Sequence, residues 1–228
     1  MTDKPRIITD RSLTAQVRLY YDVQAGPEPK APLLIGLHGY GAYKGQMMRE
    51  AQQVAPDHFA IASLQGFHQH LKDAKEAGGP LRFGFGWLSN FRPEESVAVH
   101  HQALLDLIST LAKEDVADPT NVFLLGFSQS CALNYRFAFT HAECLRGVIG
   151  ICGGIPGDWE TNHNYRRTAT AVFHAAGNQD SFYPPDRVSG YGAQLSKRAD
   201  RVIFRTYEAA HEIVPAMRDD IRKWLNEQ

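Results

Sequence analysis

A serine at a sharp strand-to-helix junction is the residue of this sequence best placed to do chemistry. The apolar segment 121–126 predicts a buried strand, and residues 129–141 predict a helix. Between them the chain reads Gly126-Phe127-Ser128-Gln129-Ser130, with small residues two positions before and two after the serine. Such a turn holds the Ser128 hydroxyl above a sheet as a nucleophile, and a serine that only caps the helix is the alternative.

A serine nucleophile needs a base and an acid, because its own hydroxyl is barely ionised at neutral pH. His211 lies between the last predicted strand and the last predicted helix, which is where the base follows such a turn in chain order. Asp180 follows the predicted strand 169–174 and is placed to orient the imidazole. Asp158, one strand earlier, is the alternative acid. The alternative for His211 is an exposed loop histidine without a catalytic function. The alternative for Asp180 is a carboxylate that only forms an Asx turn.

Backbone N–H groups must stabilise the negative charge that forms on a reacting carbonyl oxygen. Gln129 begins the predicted helix directly after Ser128 and supplies one such group. The loop His38-Gly39-Tyr40-Gly41 follows an apolar strand, and its glycines let the backbone approach a substrate closely. We therefore predict the N–H groups of Gln129 and Tyr40 as oxyanion donors, with a plain strand-to-helix turn as the alternative for the loop.

Strands alternate with helices along the chain, which predicts an α/β fold with a mostly parallel sheet covered by helices on both faces. The period-two alternation of residues 13–21 predicts a half-buried antiparallel strand near a sheet edge. Residues 65–92 combine many glycines with aromatic side chains and predict a long loop. No repeat or linker divides the chain, so we predict one domain over residues 1–228. The remaining predicted strands are 32–37, 59–64, 121–126, 146–152, 169–174 and 202–207, and the predicted helices are 44–55, 94–114, 129–141, 186–199 and 213–226.

A few other side chains could bind a substrate or a metal ion. Trp87 and Tyr183 are candidates to line a substrate pocket, and ordinary loop packing explains them equally well. The histidine pairs His68/His70 and His100/His101 invite a metal site. We expect His101 on the apolar face of its helix and His100 pointing elsewhere, and no HExxH motif is present. The sequence therefore predicts neither a metal ion nor a cofactor.

Charge and hydrophobicity exclude several classes of protein. The 228 residues carry 24 Lys and Arg against 25 Asp and Glu, a net charge of −1, which gives no basic footprint for nucleic acid. No run approaches the roughly 18 apolar residues of a membrane span, and the N-terminus has no apolar signal segment. The three cysteines lack CxxC spacing, so neither a disulfide framework nor a zinc site is expected. We expect a soluble, cytoplasmic protein.

In their order and spacing these motifs resemble the carboxylesterase/phospholipase group of α/β-hydrolases, which includes the acyl-protein thioesterases. The resemblance rests on Leu37 to Gly41, Gly126 to Gln129, the spacing of Gly177 to Asp180, and His211-Glu212 ahead of the final helix. It covers about residues 30 to 226, which is nearly the whole chain.

The resemblance implies an α/β-hydrolase fold and a triad of Ser128, Asp180 and His211. It implies the N–H groups of Tyr40 and Gln129 as the oxyanion hole, and the hydrolysis of a small-molecule carboxylic ester or acyl thioester through an acyl-enzyme. An acyltransferase or peptidase built on the same triad is the nearest alternative. A non-catalytic binding protein of the same fold is the alternative from another class.

Overall fold

The computed structural model describes residues 6–74, 76 and 78–228. The strands in these residues are β1 (Tyr21–Gln24), β2 (Ala31–Leu37), β3 (Ala60–Leu64), β4 (His68–Lys72), β5 (Arg82–Gly86), β6 (Ala117–Phe127), β7 (Gly147–Ile151), β8 (Ala171–Gly177) and β9 (Val202–Tyr207). The helices are α1 (Lys44–Val54), α2 (Pro93–Lys113), α3 (Gln129–Thr140), α4 (Pro185–Val188), α5 (Tyr191–Ser196) and α6 (Pro215–Asn226). Within this part of the chain, seven strands form one sheet in the order β1-β3-β2-β6-β7-β8-β9, and β4 pairs with β5 separately.

Helices cover both faces of the large sheet. Met47 of α1 and Ile221 of α6 are buried with Leu34 of β2 on one face. Leu104 of α2 is buried with Ile35 of β2 on the opposite face. Neighbouring residues of β2 therefore point into different layers, so β2 is an unbroken apolar run instead of an alternating one. The predicted mostly parallel sheet with helices on both faces is confirmed.

The loops that carry the predicted site residues all leave the sheet on the side where its parallel strands have their carboxyl ends. β2, β6, β8 and β9 run parallel in the sheet, so their carboxyl ends lie on the same side. The segments 38–41, 128–129, 178–180 and 208–211 directly follow these four ends. Sites of α/β proteins form on this side, because the loops after parallel strands meet there.

The edge strand lies almost entirely outside its predicted bounds. It is antiparallel, as expected, but β1 covers Tyr21–Gln24, which shares only Tyr21 with the predicted strand 13–21. Tyr21 pairs with Leu64, the last residue of β3, and one further hydrogen bond joins the Gln65 N–H group to the Tyr20 carbonyl oxygen. The alternating residues before Tyr20 have no partner strand in the part of the chain that the structure describes, so Leu13 and Val17 remain exposed.

The predicted loop 65–92 contains a β-hairpin, which corrects that prediction. β4 and β5 pair antiparallel from His68↔Gly86 to Lys72↔Arg82, while residues 75 and 77 lie outside the described residues. Glycine in a strand usually weakens it, and here the close packing requires one. A Cβ atom on Gly84 would lie 2.9 Å from the Gly41 Cα atom, which belongs to the backbone, and 2.7 Å from the His70 Nε2 atom.

Two further predictions about helices need correction. The helix predicted over 186–199 is two short helices, α4 and α5, separated by Ser189 and Gly190. The two histidines of α2 also exchange places with respect to the prediction, because His100 has no exposed surface whereas His101 is half-buried. The bounds of the other predicted helices and central strands agree with the structure to within a few residues.

Candidate active site

Ser128 occupies a strained turn between β6 and α3. Its backbone has φ 57° and ψ −115°, a combination that residues with a side chain rarely adopt. The turn fits only because its neighbours are small. A Cβ atom on Gly153, at the end of the adjacent strand, would lie 2.3 Å from the Cys131 Sγ atom and 2.5 Å from the Ser128 carbonyl oxygen.

Ser128, His211 and Asp180 form a continuous hydrogen-bonded chain. The His211 Nε2 atom lies 3.0 Å from the Ser128 Oγ atom, and the His211 Nδ1 atom lies 2.8 Å from the Asp180 Oδ2 atom. A carboxylate can only accept, so the Nδ1–H group donates to Asp180 and the Nε2 atom is left to accept the serine proton. The three side chains predicted from chain order are thus brought together.

Asp180 is held as an anion by donors from its own loop. Its side chain has no exposed surface, and its Oδ1 atom accepts from the N–H groups of Phe182 (2.8 Å) and Tyr183 (3.0 Å). Burial alone would raise the pKa of this carboxyl. The hydrogen bonds from His211, Tyr183 and Phe182 outweigh burial and lower the pKa below its usual value. An ionised Asp180 favours the His211 tautomer described above and the charged imidazolium that forms after proton transfer.

The two predicted oxyanion donors lie in segments that flank Ser128. In residues 6–74, 76 and 78–228, the N–H groups of Tyr40 and Gln129 have no hydrogen-bond acceptor. Gly39 allows the first segment to approach the second, because a Cβ atom there would lie 3.3 Å from the Ser128 Cβ atom. Unpaired N–H groups beside a serine hydroxyl can stabilise negative charge on a carbonyl oxygen.

His38 fixes the backbone of the Tyr40 loop. Its Nε2 atom accepts from the Gly66 N–H group (2.9 Å), so its Nδ1–H group donates to the Gly39 carbonyl oxygen (2.8 Å). Burial lowers the pKa of His38 to about 4, which keeps the ring neutral near pH 7. The sequence motif around His38 identified this loop. It did not identify the positioning function of the His38 ring, because that function depends on Gly66, which is distant in sequence and close only in the folded chain.

Trp87 packs against the same loop and is fully buried, which agrees with the alternative of ordinary loop packing, and a contact between Trp87 and substrate stays a prediction. Its indole N–H group donates to the His38 carbonyl oxygen (2.8 Å), and its backbone N–H group donates to the Gln129 side-chain oxygen (2.9 Å). The Gly41 N–H group donates to the Phe85 carbonyl oxygen of β5 (2.8 Å). The hairpin therefore joins the loop that carries Tyr40 to the first residue of α3.

Comparison with known proteins assigns the family. The family model described as Phospholipase/Carboxylesterase matches residues 19–228. The chain belongs to the phospholipase/carboxylesterase family. A comparison with curated proteins finds no match.

Solved structures of carboxylesterases and of an acyl-protein thioesterase share the fold at low sequence identity. A carboxylesterase from Mesorhizobium loti is 19% identical with a TM-score of 0.73, over 95% of this chain and 99% of that one. The Bacillus cereus carboxylesterase is 20% identical with a TM-score of 0.71, over 92% of this chain and 94% of that one. The Zea mays acyl-protein thioesterase 2 is 18% identical with a TM-score of 0.67, over 91% of this chain and 98% of that one. The predicted α/β-hydrolase fold is confirmed.

A cleft opens beside His211 in this family member. It has a volume of about 340 Å³ and is bounded by Gly39 and His211 on one side and by α1 on the other. Besides His38 and His211, its polar side chains are Gln46, Arg49, Glu50 and Glu212. Tyr183, the second predicted substrate contact, is half-buried, and its ring lies nearly parallel to the His211 ring with the centroids 6.0 Å apart. Tyr183 is therefore close to the site, and its contact with substrate stays a prediction.

Asp158, the alternative acid, has partners away from His211. Its Oδ2 atom accepts from the Arg136 guanidinium (2.8 Å) and the Asn162 amide (2.9 Å), and its Oδ1 atom accepts from the Tyr165 hydroxyl (3.0 Å). Burial raises the pKa of Asp158, but these donors outweigh it and lower the pKa below its usual value. Asp158 is thus part of a structural ion pair.

The remaining sequence signals bring no further chemistry to the site. Among the described residues, no three His, Cys, Asp or Glu side chains come together as a group that could hold a metal ion. In the same part of the chain, no helix is long and apolar enough to span a membrane. Burial raises the pKa of the Cys131 thiol well above its usual range, so this cysteine is a poor nucleophile.

Proposed function

We propose that this protein is a serine hydrolase that cleaves a carboxylic ester or an acyl thioester through an acyl-enzyme. The observation that carries the proposal is the chain of hydrogen bonds from the Ser128 Oγ atom through His211 to Asp180. The free N–H groups of Tyr40 and Gln129 support it, and so does membership of a family of esterases.

In the proposed mechanism, the Ser128 Oγ atom attacks the acyl carbon while the His211 Nε2 atom takes the hydroxyl proton. The N–H groups of Tyr40 and Gln129 donate to the oxyanion of the tetrahedral intermediate. The intermediate collapses and His211 returns the proton to the departing alcohol or thiol. A water molecule that His211 deprotonates then attacks the acyl carbon. The bond between this carbon and the Ser128 Oγ atom breaks, His211 returns the proton to the Ser128 oxygen, and the carboxylic acid is released. The cleft beside His211 offers the departing group a way out of the site.

The same triad can serve an acyltransferase, in which another acceptor replaces the water, or a peptidase, in which an amide replaces the ester. No contact of the described residues favours either reaction over ester hydrolysis. A small-molecule substrate and a cytoplasmic location remain predictions from the sequence.

Replacing the nucleophile tests the proposal directly. We expect Ser128→Ala to fold normally and to lose hydrolysis of p-nitrophenyl esters and acyl thioesters by roughly 10³-fold or more. A fluorophosphonate probe should label the wild-type protein and fail to label this variant, because only an activated serine reacts. Ser109→Ala, which alters an exposed serine on α2, is the matched control. Wild-type turnover in Ser128→Ala, or labelling that persists in it, would exclude the proposed nucleophile.

A further inference from the structure

Ser130 has a buried hydroxyl that the proposed mechanism does not use. It is the second residue of α3 and has no exposed surface. Its Oγ atom lies 2.7 Å from the Leu37 carbonyl oxygen and accepts from the Phe127 N–H group at 3.0 Å. The Phe127 carbonyl oxygen lies 3.0 Å away as well, and the single hydroxyl proton points along the shorter contact, to Leu37. The hydroxyl therefore bridges a carbonyl group of β2 and an amide group of β6.

This bridge lies where the two oxyanion segments begin. β2 and β6 pair in parallel as far as Leu37↔Gly126, which is their last paired position. Leu37 is three residues before Tyr40, and Phe127 is two residues before Gln129. The Ser130 hydroxyl thus contacts both chains at the point where each leaves the sheet to present its N–H group.

We propose that Ser130 is a positioning residue that sets the spacing between the Tyr40 and Gln129 N–H groups. The inference rests on the proposed function, since it assigns Ser130 to that oxyanion hole. Oxyanion donors must match the position of the oxyanion in the tetrahedral intermediate, and misplacement on the ångström scale is costly. Ser130 itself touches neither the substrate nor the reacting atoms.

A positioning residue predicts a particular kinetic signature. The oxyanion exists only in the tetrahedral intermediate, so loss of spacing should lower kcat while KM changes little. The contact between Ser128 and His211 is not altered, so the pH profile of kcat should keep its shape. Binding of a trifluoromethyl ketone, which forms a tetrahedral adduct with the serine, should weaken in the same proportion as kcat/KM.

The choice of substitution separates positioning from a purely structural effect. Ser130→Ala leaves a gap the size of a hydroxyl, which is too small for water, so the bridge is lost. Ser130→Gly also removes the Cβ atom and leaves room for a water molecule between the Leu37 carbonyl and the Phe127 amide groups. We therefore expect Ser130→Gly to be more active than Ser130→Ala. Helix propensity predicts the opposite order for stability, because glycine is up to about 1 kcal/mol less favourable than alanine in a helix.

The experiment measures kcat, KM, the pH profile, ketone affinity and thermal unfolding for the wild type, Ser130→Ala and Ser130→Gly. We expect Ser130→Ala to lose roughly tenfold or more in kcat. Ser130→Gly should stay within about threefold of the wild type, although it melts at the same temperature as Ser130→Ala or lower. The matched control is Ser196→Ala, since the Ser196 hydroxyl also donates to a backbone carbonyl oxygen, that of Gly192, but on the exposed face of α5.

Three results would overturn the proposal. In the first, both variants keep wild-type kcat and a fluorophosphonate probe labels them, which would remove the assigned function of Ser130 and leave the hydrolase intact. In the second, both variants lose activity only in step with their stability, and alanine is the better of the two. A wild-type chain that the probe does not label would remove the hydrolase function and this inference with it. If Ser130→Ala does not fold, Ser130→Cys replaces it, because a thiol keeps the shape and donates more weakly.

Discussion

Asp180 and Asp158 differ in the hydrogen-bond donors that contact each carboxylate. Asp180 accepts from the His211 imidazole and from two N–H groups of its own loop. Asp158 accepts from Arg136, Asn162 and Tyr165 instead. Both carry a lowered pKa, so ionisation alone does not distinguish the acid of a triad from a structural ion pair. The identity of the hydrogen-bond partner does.

Replacing each carboxylate by its amide turns this difference into a measurement. Asp180→Asn keeps the shape but no longer favours the His211 tautomer that accepts the serine proton. The corresponding change in the serine-protease template costs about 10⁴ in kcat. We expect a loss of at least roughly 10² in kcat for Asp180→Asn, and of less than about tenfold for Asp158→Asn or for the exposed Asp186→Asn. A crippled Asp158→Asn beside a nearly unaffected Asp180→Asn would assign the acid to the preceding strand.

Chain order was enough to find the residues of the hydrogen-bonded chain, because in a parallel sheet the loops after successive strands converge. It was not enough for the residues that hold them. His38 depends on Gly66, and Trp87 depends on the carbonyl group of His38, across long separations in sequence. No local pattern distinguishes a tryptophan that supports a loop from one that lines a pocket, and for that reason both interpretations of Trp87 stayed open in the sequence.

At the scale of elements, the strained turn at Ser128 depends on the close contact between Gly153, in the segment just after β7, and the start of α3. A Cβ atom on Gly153 would lie 2.3 Å from the Cys131 Sγ atom, 2.5 Å from the Cys131 Cβ atom and 2.5 Å from the Ser128 carbonyl oxygen. One of these elements must shift if a methyl group is added there, and Ser128 is part of the contact.

Gly153→Ala should therefore reduce both stability and activity. We expect the free energy of unfolding to fall by about 1–3 kcal/mol, as in other overpacked cores, and kcat to fall by roughly tenfold or more as Ser128 moves. Gly157→Ala is the matched control, because nothing lies within 4 Å of its added Cβ atom, and its stability should change by less than about 1 kcal/mol. Equal effects of the two substitutions in chemical denaturation would show that the segment after β7 and the start of α3 are not tightly packed.

The elements that the sequence predicted well are those that pattern alone determines. β2 and β7 are buried on both faces, so their continuous apolar runs identify them without knowledge of their neighbours. β1 and the hairpin of β4 and β5 depend on pairing, which a local pattern does not contain. Residues 13–20 alternate like a strand and find no partner, whereas β5 pairs despite two glycines.

At the scale of the whole molecule, the folded chain keeps several histidines neutral. Burial lowers the pKa of His38 to about 4 and of His174 to about 4, and burial together with His101 lowers that of His100 to about 3. In the unfolded chain the same imidazoles take up protons near pH 6.5. Below that pH the unfolded state binds more protons than the folded state, so acid favours unfolding.

The free energy of unfolding should consequently fall as the pH is lowered from about 6.5 to about 4, and it should be nearly constant between about pH 7 and pH 8. Each such histidine contributes at most about 1.4 kcal/mol per pH unit to the slope. His100→Leu replaces a fully buried imidazole by an apolar side chain of similar volume that does not titrate. The free energy of unfolding of this variant should therefore depend less steeply on pH than that of the wild type, whatever its value at pH 7. His163→Gln, which replaces an exposed histidine, should leave the slope unchanged. Urea denaturation at closely spaced pH values measures all three proteins. If the slope of His100→Leu equals that of the wild type, His100 does not remain neutral in the folded state, and its burial does not contribute to acid unfolding.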